Sequence, residues 1–270
     1  MTELNGKKLT GRIAADRIRM TSTPKPPAGA VNRFLALGEC TSLVSDVMDE
    51  LGIPEGAIGA TTLRPTIPGK VVCGPALTVR NIAQRSDPFV VARENKNRMA
   101  EFEAHNLAED GDVLVIAGVP GVSNMGGISA LTGRRQGERG AIVMGGIRDV
   151  AHSRSEGHPI WASEVTPVTG KWRLETVEIN GEIDMAGVRV NAGDLVIADD
   201  SGAIGLAGVM GGATTEMSAE SSSIILEGAH FDAMTVARTY RRHKLGSEAS
   251  RRFERGVDPA ATLPAVNRAA

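Results

Sequence analysis

The sequence is poor in aromatic residues, which make up 3% of its 270 positions. Ala, Val, Ile, Leu and Met must therefore fill the core. Cysteine is also scarce, since Cys40 and Cys73 are the two in the chain, and their spacing fits neither a metal knuckle nor a disulfide framework. Both are predicted to be reduced thiols in the core.

Charge of either sign is nearly balanced, and long apolar runs are missing. A net charge of −2 at pH 7 gives no general attraction to nucleic acid or to an anionic membrane. No stretch of the sequence is apolar for long enough to span a membrane, and the first residues lack the apolar segment of a signal peptide. These absences predict a soluble cytoplasmic protein of one large or two modest domains, with neither a membrane nor nucleic acid as its partner.

The sequence does contain an adjacent Arg148–Asp149 pair directly after the apolar run Ala141–Ile147. Such a run with an internal Gly-Gly predicts a buried strand. A guanidinium and a carboxylate at its end are costly to bury unless both charged groups have binding partners. Arg binds carboxylates through two parallel hydrogen bonds, and Asp holds hard cations. The pair predicts a site for a small, anionic, oxygen-rich substrate, although a structural ion pair closing a loop would give the same pattern.

The residues before this pair predict a strand–helix–strand unit. Residues 111–118 form a second apolar run, and residues 124–136 predict a glycine turn that opens a short helix. In a right-handed unit of this kind, the helix begins at the edge of the sheet where both strands end. The N–H groups of Gly126 and Gly127 are therefore predicted to face the same crevice as Arg148 and Asp149, where helix N-termini bind anions and α/β sheets bind ligands.

Three local patterns predict further elements. Residues 67–80 predict two short strands with a bend at Gly74-Pro75. Residues 87–109 predict a helical segment, and Asn180-Gly181 predicts the turn of a hairpin between two strands.

Composition suggests three parts. Residues 1–30 are polar and end in a proline-rich stretch, which predicts a flexible leader. A second shift in composition, to small polar residues from about residue 209, separates a main domain, residues 31–202, from a C-terminal part, residues 203–270. The latter contains a basic helical pattern at residues 235–245, for which a solvated helix face is favoured over an RNA contact.

Several short motifs occur in a fixed order over residues 35–202. They are Val44–Val47, Pro68–Gly69 followed by Gly74–Ala76, Gly111–Val115, Gly140–Val143, Gly146–Asp149 and Gly193–Asp199. Each is weak alone, but the ordered set resembles the RraA-like fold, which includes the 4-hydroxy-4-methyl-2-oxoglutarate/4-carboxy-4-hydroxy-2-oxoadipate aldolases.

The resemblance implies an α/β protein with a swivelling β/β/α domain, assembled as homotrimers or homohexamers. It implies a divalent cation, Mg²⁺ or Mn²⁺, held by Asp149, with Arg148 binding the pyruvyl end of a small anionic oxo acid. Gly126, Gly127 and Ile128 are implied to contact the substrate. The implied activity, with Arg148 and Asp149 as catalytic residues, is that of a metal-dependent lyase that cleaves 4-hydroxy-2-oxo acids to pyruvate or decarboxylates oxaloacetate.

Two positions depart from the family's pattern. Gly127 stands where many members have Asp or Glu, and His152 stands where members tend to carry an acid. His152 could bind metal, donate a proton, or be an ordinary surface histidine. These departures favour one alternative function, that of a non-catalytic, regulatory member of the fold.

The last third of the chain resembles a fragment of the bacterial phenylalanyl-tRNA synthetase beta chain. The matching stretches are residues 204–213, 224–232 and 246–259. Positions that match that family's editing pocket are Ala207, Gly208, Glu227, Ser247 and Ala249, but the earlier half of the editing domain is absent. The resemblance predicts a short, poorly packed α+β extension, and a tRNA-associated fragment is the second alternative function.

Overall fold

The computed structural model describes residues 2–4, 6–51, 53 and 56–206. The chain divides into two units, residues 1–45 with 56–210 and residues 46–55 with 211–270. The predicted basic helix at 235–245 and the five positions matched to the editing pocket lie outside the described residues.

The described residues form six α-helices, fourteen strands and one short 3₁₀ turn. The helices are α1 (Ala30–Leu37), α2 (Thr41–Leu51), α3 (Pro88–Arg93), α4 (Glu101–Leu107), α5 (Gly127–Arg135) and α6 (Val150–Ser155). The strands are β1 (Thr2–Leu4), β2 (Lys7–Leu9), β3 (Ala57–Gly59), β4 (Arg64–Pro65), β5 (Val72–Ala83), β6 (Val113–Ala117), β7 (Ser123–Met125), β8 (Gly140–Ile147), β9 (Ile160–Val165), β10 (Leu174–Ile179), β11 (Ile183–Met185), β12 (Val188–Val190), β13 (Leu195–Asp199) and β14 (Gly202–Leu206). The 3₁₀ turn is Ala15–Arg17.

A ten-stranded mixed sheet organises the fold, in the order β3-β14-β13-β5-β6-β8-β9-β4, with β10 paired to β5 and β7 paired to β8. Its centre is parallel: β5 pairs with β6, β6 with β8 and β8 with β9. The predicted unit of strand, helix and strand is therefore confirmed as β6, α5 and β8. The α/β fold class is also confirmed, and the carboxyl ends of the parallel strands form one edge of the sheet.

The two faces of the sheet bury separate cores, because alternate residues of a strand point to opposite faces. Leu114 and Ile116 of β6 pack on one face among helix residues such as Leu107. Val113 and Val115 pack on the other face against a second β layer that contains Met185. The central sheet therefore lies between a layer of helices and a second β layer. Because both faces of β6 are buried, its residues are apolar at every position rather than at alternate ones.

The segment predicted as a flexible leader is packed against the domain. Leu9, Ile13 and Ile18 are buried in the helix-side core. Thr23 donates a hydrogen bond to the buried Asp112 carboxylate over 3.1 Å, and Lys25 pairs with the same carboxylate at 2.7 Å. These anchors are single residues spaced several positions apart, so they leave no periodic pattern in the sequence.

Strand β5 and the Asn180-Gly181 turn differ from their predictions. Residues 72–83 form one strand without a bend at Gly74-Pro75. Pro75 comes just before the first pair with β6, Ala76 with Val113, so its missing N–H removes no bond from that ladder. The predicted hairpin at Asn180-Gly181 is wrong, because β10 pairs with β5 instead of β11.

The hairpin that does form joins β11 to β12 through Ala186 and Gly187, both at positive φ. Asn180 is held elsewhere, since its backbone N–H donates to the Thr78 carbonyl over 2.8 Å. Tertiary contacts therefore override the local turn signal of Asn180-Gly181.

Residues 87–109 form two helices, α3 and α4, instead of one helical segment.

The two cysteines agree with their prediction. Cys40 and Cys73 are free and buried, and burial raises the pKa of the Cys73 thiol to about 12. None of the helices in the described part of the chain is long and apolar enough to cross a membrane.

Candidate functional site

Arg148 and Asp149 follow directly after β8, at the edge where the parallel strands end. Asp149 caps α6 and adopts the left-handed conformation, with φ 57°. Its carbonyl accepts hydrogen bonds from the N–H groups of His152 and Ser153. Both charged side chains are about half exposed, and Arg148 Nε lies 3.7 Å from Asp149 Oδ2. The pair is therefore open to solvent and to a ligand, and carries little of the burial cost expected from the sequence.

The glycine turn lies against this pair, as the geometry of the strand–helix–strand unit predicts. The Gly127 N–H donates to Asp149 Oδ2 over 3.3 Å, and the Arg148 N–H donates to the Met125 carbonyl over 3.1 Å. A β-carbon on Gly126 would lie 3.1 Å from Asp149 Oδ2 and 3.3 Å from Arg148 Cγ. Glycine therefore lets the start of α5 approach both charged residues closely.

Ile128, the third predicted substrate contact, follows on the first turn of α5. Its side chain is 67% exposed. The structure thus brings the backbone of residues 126–128 to the edge that carries Arg148 and Asp149, and leaves the Ile128 side chain outside the core.

Asn124 holds the loop that leads into the glycine turn. Its side-chain amide donates to the carbonyls of Val119 and Val122, and its oxygen accepts from the Val119 N–H and from the Asn81 side chain. Asn124 is fully buried, and its hydrogen bonds therefore hold the loop in one conformation. Sequence reasoning missed this role, for which the position of Asn124 next to the glycines is the one available signal.

A buried polar chain lies behind α5. His105 of α4 contacts Glu138 through Nδ1 at 2.7 Å and Ser129 of α5 through Nε2 at 2.6 Å. Burial lowers the pKa of His105, but the Glu138 carboxylate outweighs it and the pKa is raised. Because Ser129 lies two residues after Gly127, this chain fixes the first turn of α5 relative to α4. The three residues are far apart in sequence, and sequence reasoning missed them.

Glu101, at the start of α4, is a second group that sequence reasoning missed. It is 7% exposed, and burial raises the pKa of its carboxyl. The positive charges of His105, Arg12 and Arg148 act in the opposite direction. Glu101 therefore lies within the electrostatic reach of Arg148.

The donor set suits a loosely held cation. Among the described residues, no three His, Cys, Asp or Glu side chains come together as a ready-made metal cage. Asp149 offers a half-exposed carboxylate, one oxygen of which accepts the Gly127 N–H. Mg²⁺ in proteins is commonly held by one or two carboxylates, with water and substrate oxygens completing its shell. Asp149 fits that kind of site.

Two family profiles match this chain. The profile of the Aldolase/RraA family matches residues 41–204, and that of the B3/4 domain matches residues 166–270. The matches overlap over residues 166–204, so the segment from β10 to β14 fits both. The domain boundary predicted at 202–203 falls inside β14, and its functional meaning stays a prediction.

Curated relatives match the C-terminal part. The phenylalanine–tRNA ligase beta subunit of Cutibacterium acnes is 82% identical over 77 residues, which cover 28% of this chain and 9% of that protein. The same subunit of Leifsonia xyli subsp. xyli is 61% identical over 79 residues, again 9% of its length. The chain thus spans about a tenth of these relatives.

Solved structures match the described fold. Streptomyces coelicolor RraAS2, described as an unusual member of the RNase ES inhibitor RraA protein family, is 27% identical, with a TM-score of 0.56 over 67% of this chain and 86% of that one. A structure described as one of novel cellulases from microbes of the gut ecosystem has a TM-score of 0.58, covering 72% of this chain and 82% of the matched chain. Its sequence is 18% identical, so the likeness concerns the fold alone. With the ordered motifs, the sheet topology and a profile match over more than half of its length, this chain belongs to the Aldolase/RraA family.

Proposed function

We propose that this chain is a divalent-metal-dependent lyase that cleaves 4-hydroxy-2-oxo acids to pyruvate, decarboxylates oxaloacetate, or does both. The observation that carries the proposal is the half-exposed Arg148–Asp149 pair beside the N-terminus of α5. The guanidinium, the glycine N–H groups and the carboxylate then offer three kinds of partner for one small oxo acid.

Each group of the site would bind a different partner, either a part of the substrate or the cation. The Arg148 guanidinium can hold the substrate's 1-carboxylate through two parallel hydrogen bonds. The N–H groups at the start of α5 stabilise negative charge on the same end of the substrate. Asp149 would hold the cation, and the bonds of Asn124 and Ser129 keep the glycine turn in place.

Both reactions share one difficult step. A carbon–carbon bond breaks, and its electron pair moves into the pyruvyl fragment as an enolate, which is then protonated to pyruvate. In the aldol cleavage the 4-hydroxyl releases its proton as its carbon becomes the carbonyl of the leaving oxo compound. In the decarboxylation the ionised carboxylate leaves as carbon dioxide. Arg148 places a positive charge where the enolate oxygen develops its negative charge. A divalent cation, when bound, supplies Lewis-acid stabilisation of that same charge. A lysine Schiff base is not needed.

The proposal predicts how oxalate, a planar dianion shaped like the pyruvate enolate, binds in the presence of Mg²⁺. Arg148→Ala should weaken binding roughly 10- to 100-fold, because hydrogen bonds to charged groups contribute about 1.5–3 kcal/mol. Arg148→Lys should fall between, because it keeps the charge and loses the two-pronged geometry. Isothermal calorimetry measures both. Arg135→Gln, an exposed change at the far end of α5, is the matched control. Oxalate binding that ignores Arg148 would contradict the assignment.

We also propose that the chain forms a homotrimer or homohexamer. Ile128 and Val165 are both about two-thirds exposed, and each belongs to an element that begins or ends at the site's edge of the sheet. Large apolar side chains exposed at one edge favour burial against another subunit.

Two rival functions have specific support. The absence of an acidic side chain at Gly127 favours a non-catalytic regulatory member, and a matched structure is described as belonging to a family of RNase ES inhibitors. The B3/4 match favours a tRNA-associated fragment. Tight tRNA binding that falls steeply with salt would support the latter rival.

A further inference from the structure

The imidazole of His152 lies against Gly127. A β-carbon on Gly127 would be 2.5 Å from His152 Nδ1 and 2.9 Å from its Cβ and Cγ. Real β-carbons do not approach so closely, so any side chain at position 127 would have to displace this ring. The Gly127 N–H in turn donates to Asp149 Oδ2. The His152 ring and the Asp149 carboxylate therefore flank the same glycine.

The other ring nitrogen of His152 faces a carboxylate. His152 Nε2 lies 3.7 Å from Glu156 Oε1, one turn further along, and Glu156 is held by Arg134 at 3.1 Å. This contact is too long for a hydrogen bond, but a carboxylate near one ring nitrogen favours the proton on that nitrogen and recurs behind metal-binding histidines. The other nitrogen, Nδ1, lies on the glycine side and is the candidate ligand atom.

Gly127 and His152 are thus one coupled feature. The room left by the missing side chain at 127 is taken by an imidazole that reaches in from α6. An imidazole of α6 therefore stands where a side chain at position 127 of α5 would lie, next to the glycine whose N–H donates to Asp149.

We propose that His152 supplies Nδ1 as a second protein ligand to the cation held by Asp149, and that the resulting nitrogen-and-oxygen set prefers transition metals such as Co²⁺ or Mn²⁺ over Mg²⁺. Imidazole suits transition metals, whereas carboxylate and water suit Mg²⁺. This inference rests on the proposed function for the placement of the cation at Asp149. It goes further by naming the second ligand and the class of metal.

The test uses metal alone, without substrate, and the full-length protein. Co²⁺ binding is followed by its visible absorption bands, and Mg²⁺ binding by competition with Co²⁺. His152→Ala should weaken Co²⁺ binding at least about 10- to 100-fold, the loss typical of removing even an outer-shell partner. Mg²⁺ binding should change by less than about 2-fold, because a strongly hydrated cation gains little from imidazole. His152 is half exposed, so the change leaves the core intact.

Three more variants sharpen the result. Asp149→Asn should abolish the binding of both metals, and Arg135→Gln should change neither. Glu156→Gln should weaken Co²⁺ binding by about 10-fold while the ring remains. The double variant Gly127→Asp/His152→Ala replaces the nitrogen donor with a carboxylate and should shift the preference back towards Mg²⁺.

Co²⁺ affinity and absorption bands unchanged by His152→Ala would overturn the inference, whatever the activity. Failure of the proposed function is distinguishable from this. If Co²⁺ binding depends on His152 but no oxo acid yields pyruvate, the metal site stands and the lyase proposal falls. If pyruvate release depends on Asp149 while Co²⁺ binding ignores His152, the lyase proposal stands and the ligand assignment falls.

Discussion

Replacing Asp149 by alanine is expected to lower protein-dependent pyruvate release from oxaloacetate by at least about 100-fold, because the change removes the carboxylate that we propose as the ligand of the cation. Alanine is also strained in the left-handed conformation of this residue, φ 57°, by roughly 1–2 kcal/mol. Asp149→Asn separates the two effects, since asparagine tolerates that conformation and removes only the charge. Coupling pyruvate to lactate dehydrogenase and following NADH absorbance measures the rate.

The two variants should lose activity to a similar extent if the charge is what matters. Each rate is corrected for spontaneous and metal-only decarboxylation. If Asp149→Asn keeps the wild-type rate, the carboxylate does not hold an essential cation, and its role is limited to accepting the Gly127 N–H.

Replacing Glu138 by alanine is expected to destabilise the fold by about 3–5 kcal/mol, the cost of removing one partner of a buried ion pair. Both side chains of the His105–Glu138 pair are fully buried, and their contact is 2.7 Å. Without Glu138, the His105 imidazole must either stay charged in an apolar interior or lose its proton and its partner. Urea denaturation at pH 6 measures the difference, with Glu138→Gln as the variant that keeps shape and hydrogen bonding.

The same pair predicts a pH dependence of stability. The pKa of His105 is raised in the folded protein. Its contribution to stability is therefore fully present below about pH 6.5, the unfolded value. It is lost as the pH rises through the raised folded value, and this dependence should vanish in Glu138→Ala. A variant as stable as the wild type at pH 6 would show that the contact does not anchor α5.

The parts of the fold that could be predicted from sequence are those with strong local patterns. Strands β6 and β8 are continuous apolar runs, and α5 opens with a glycine turn, so their parallel arrangement followed from chain order and handedness. This geometry also predicted that Gly126 and Gly127 would lie beside Arg148 and Asp149. Local pattern and tertiary structure agree at these positions.

The parts that could not be predicted depend on contacts between distant residues. Ser129 lies 24 positions after His105, and Glu138 lies 33 positions after it. None of the three residues belongs to a recognisable motif. Asn180-Gly181 carries the strongest hairpin signal, yet β10 pairs with β5 and β11 pairs with β12, so the turn connects two strands that do not pair with each other. The leader is held by three scattered apolar anchors, which no window of sequence reports.

His152 shows a third kind of limit. Gly127 and His152 both depart from the family's pattern, but nothing in the sequence links one departure to the other. Only the fold, which brings α6 against the start of α5, shows that one residue fills the space left by the other.

The most direct test of the lyase assignment is pyruvate release from oxaloacetate by the wild-type protein, measured with Mg²⁺ or Mn²⁺ and again with EDTA in excess. Reactions without protein give the spontaneous and metal-only background. The account predicts release well above that background with metal, its loss in EDTA, and its return when metal is restored. Release no faster than the metal-only background, from protein that circular dichroism shows to be folded, would contradict the account and favour the non-catalytic member of the family.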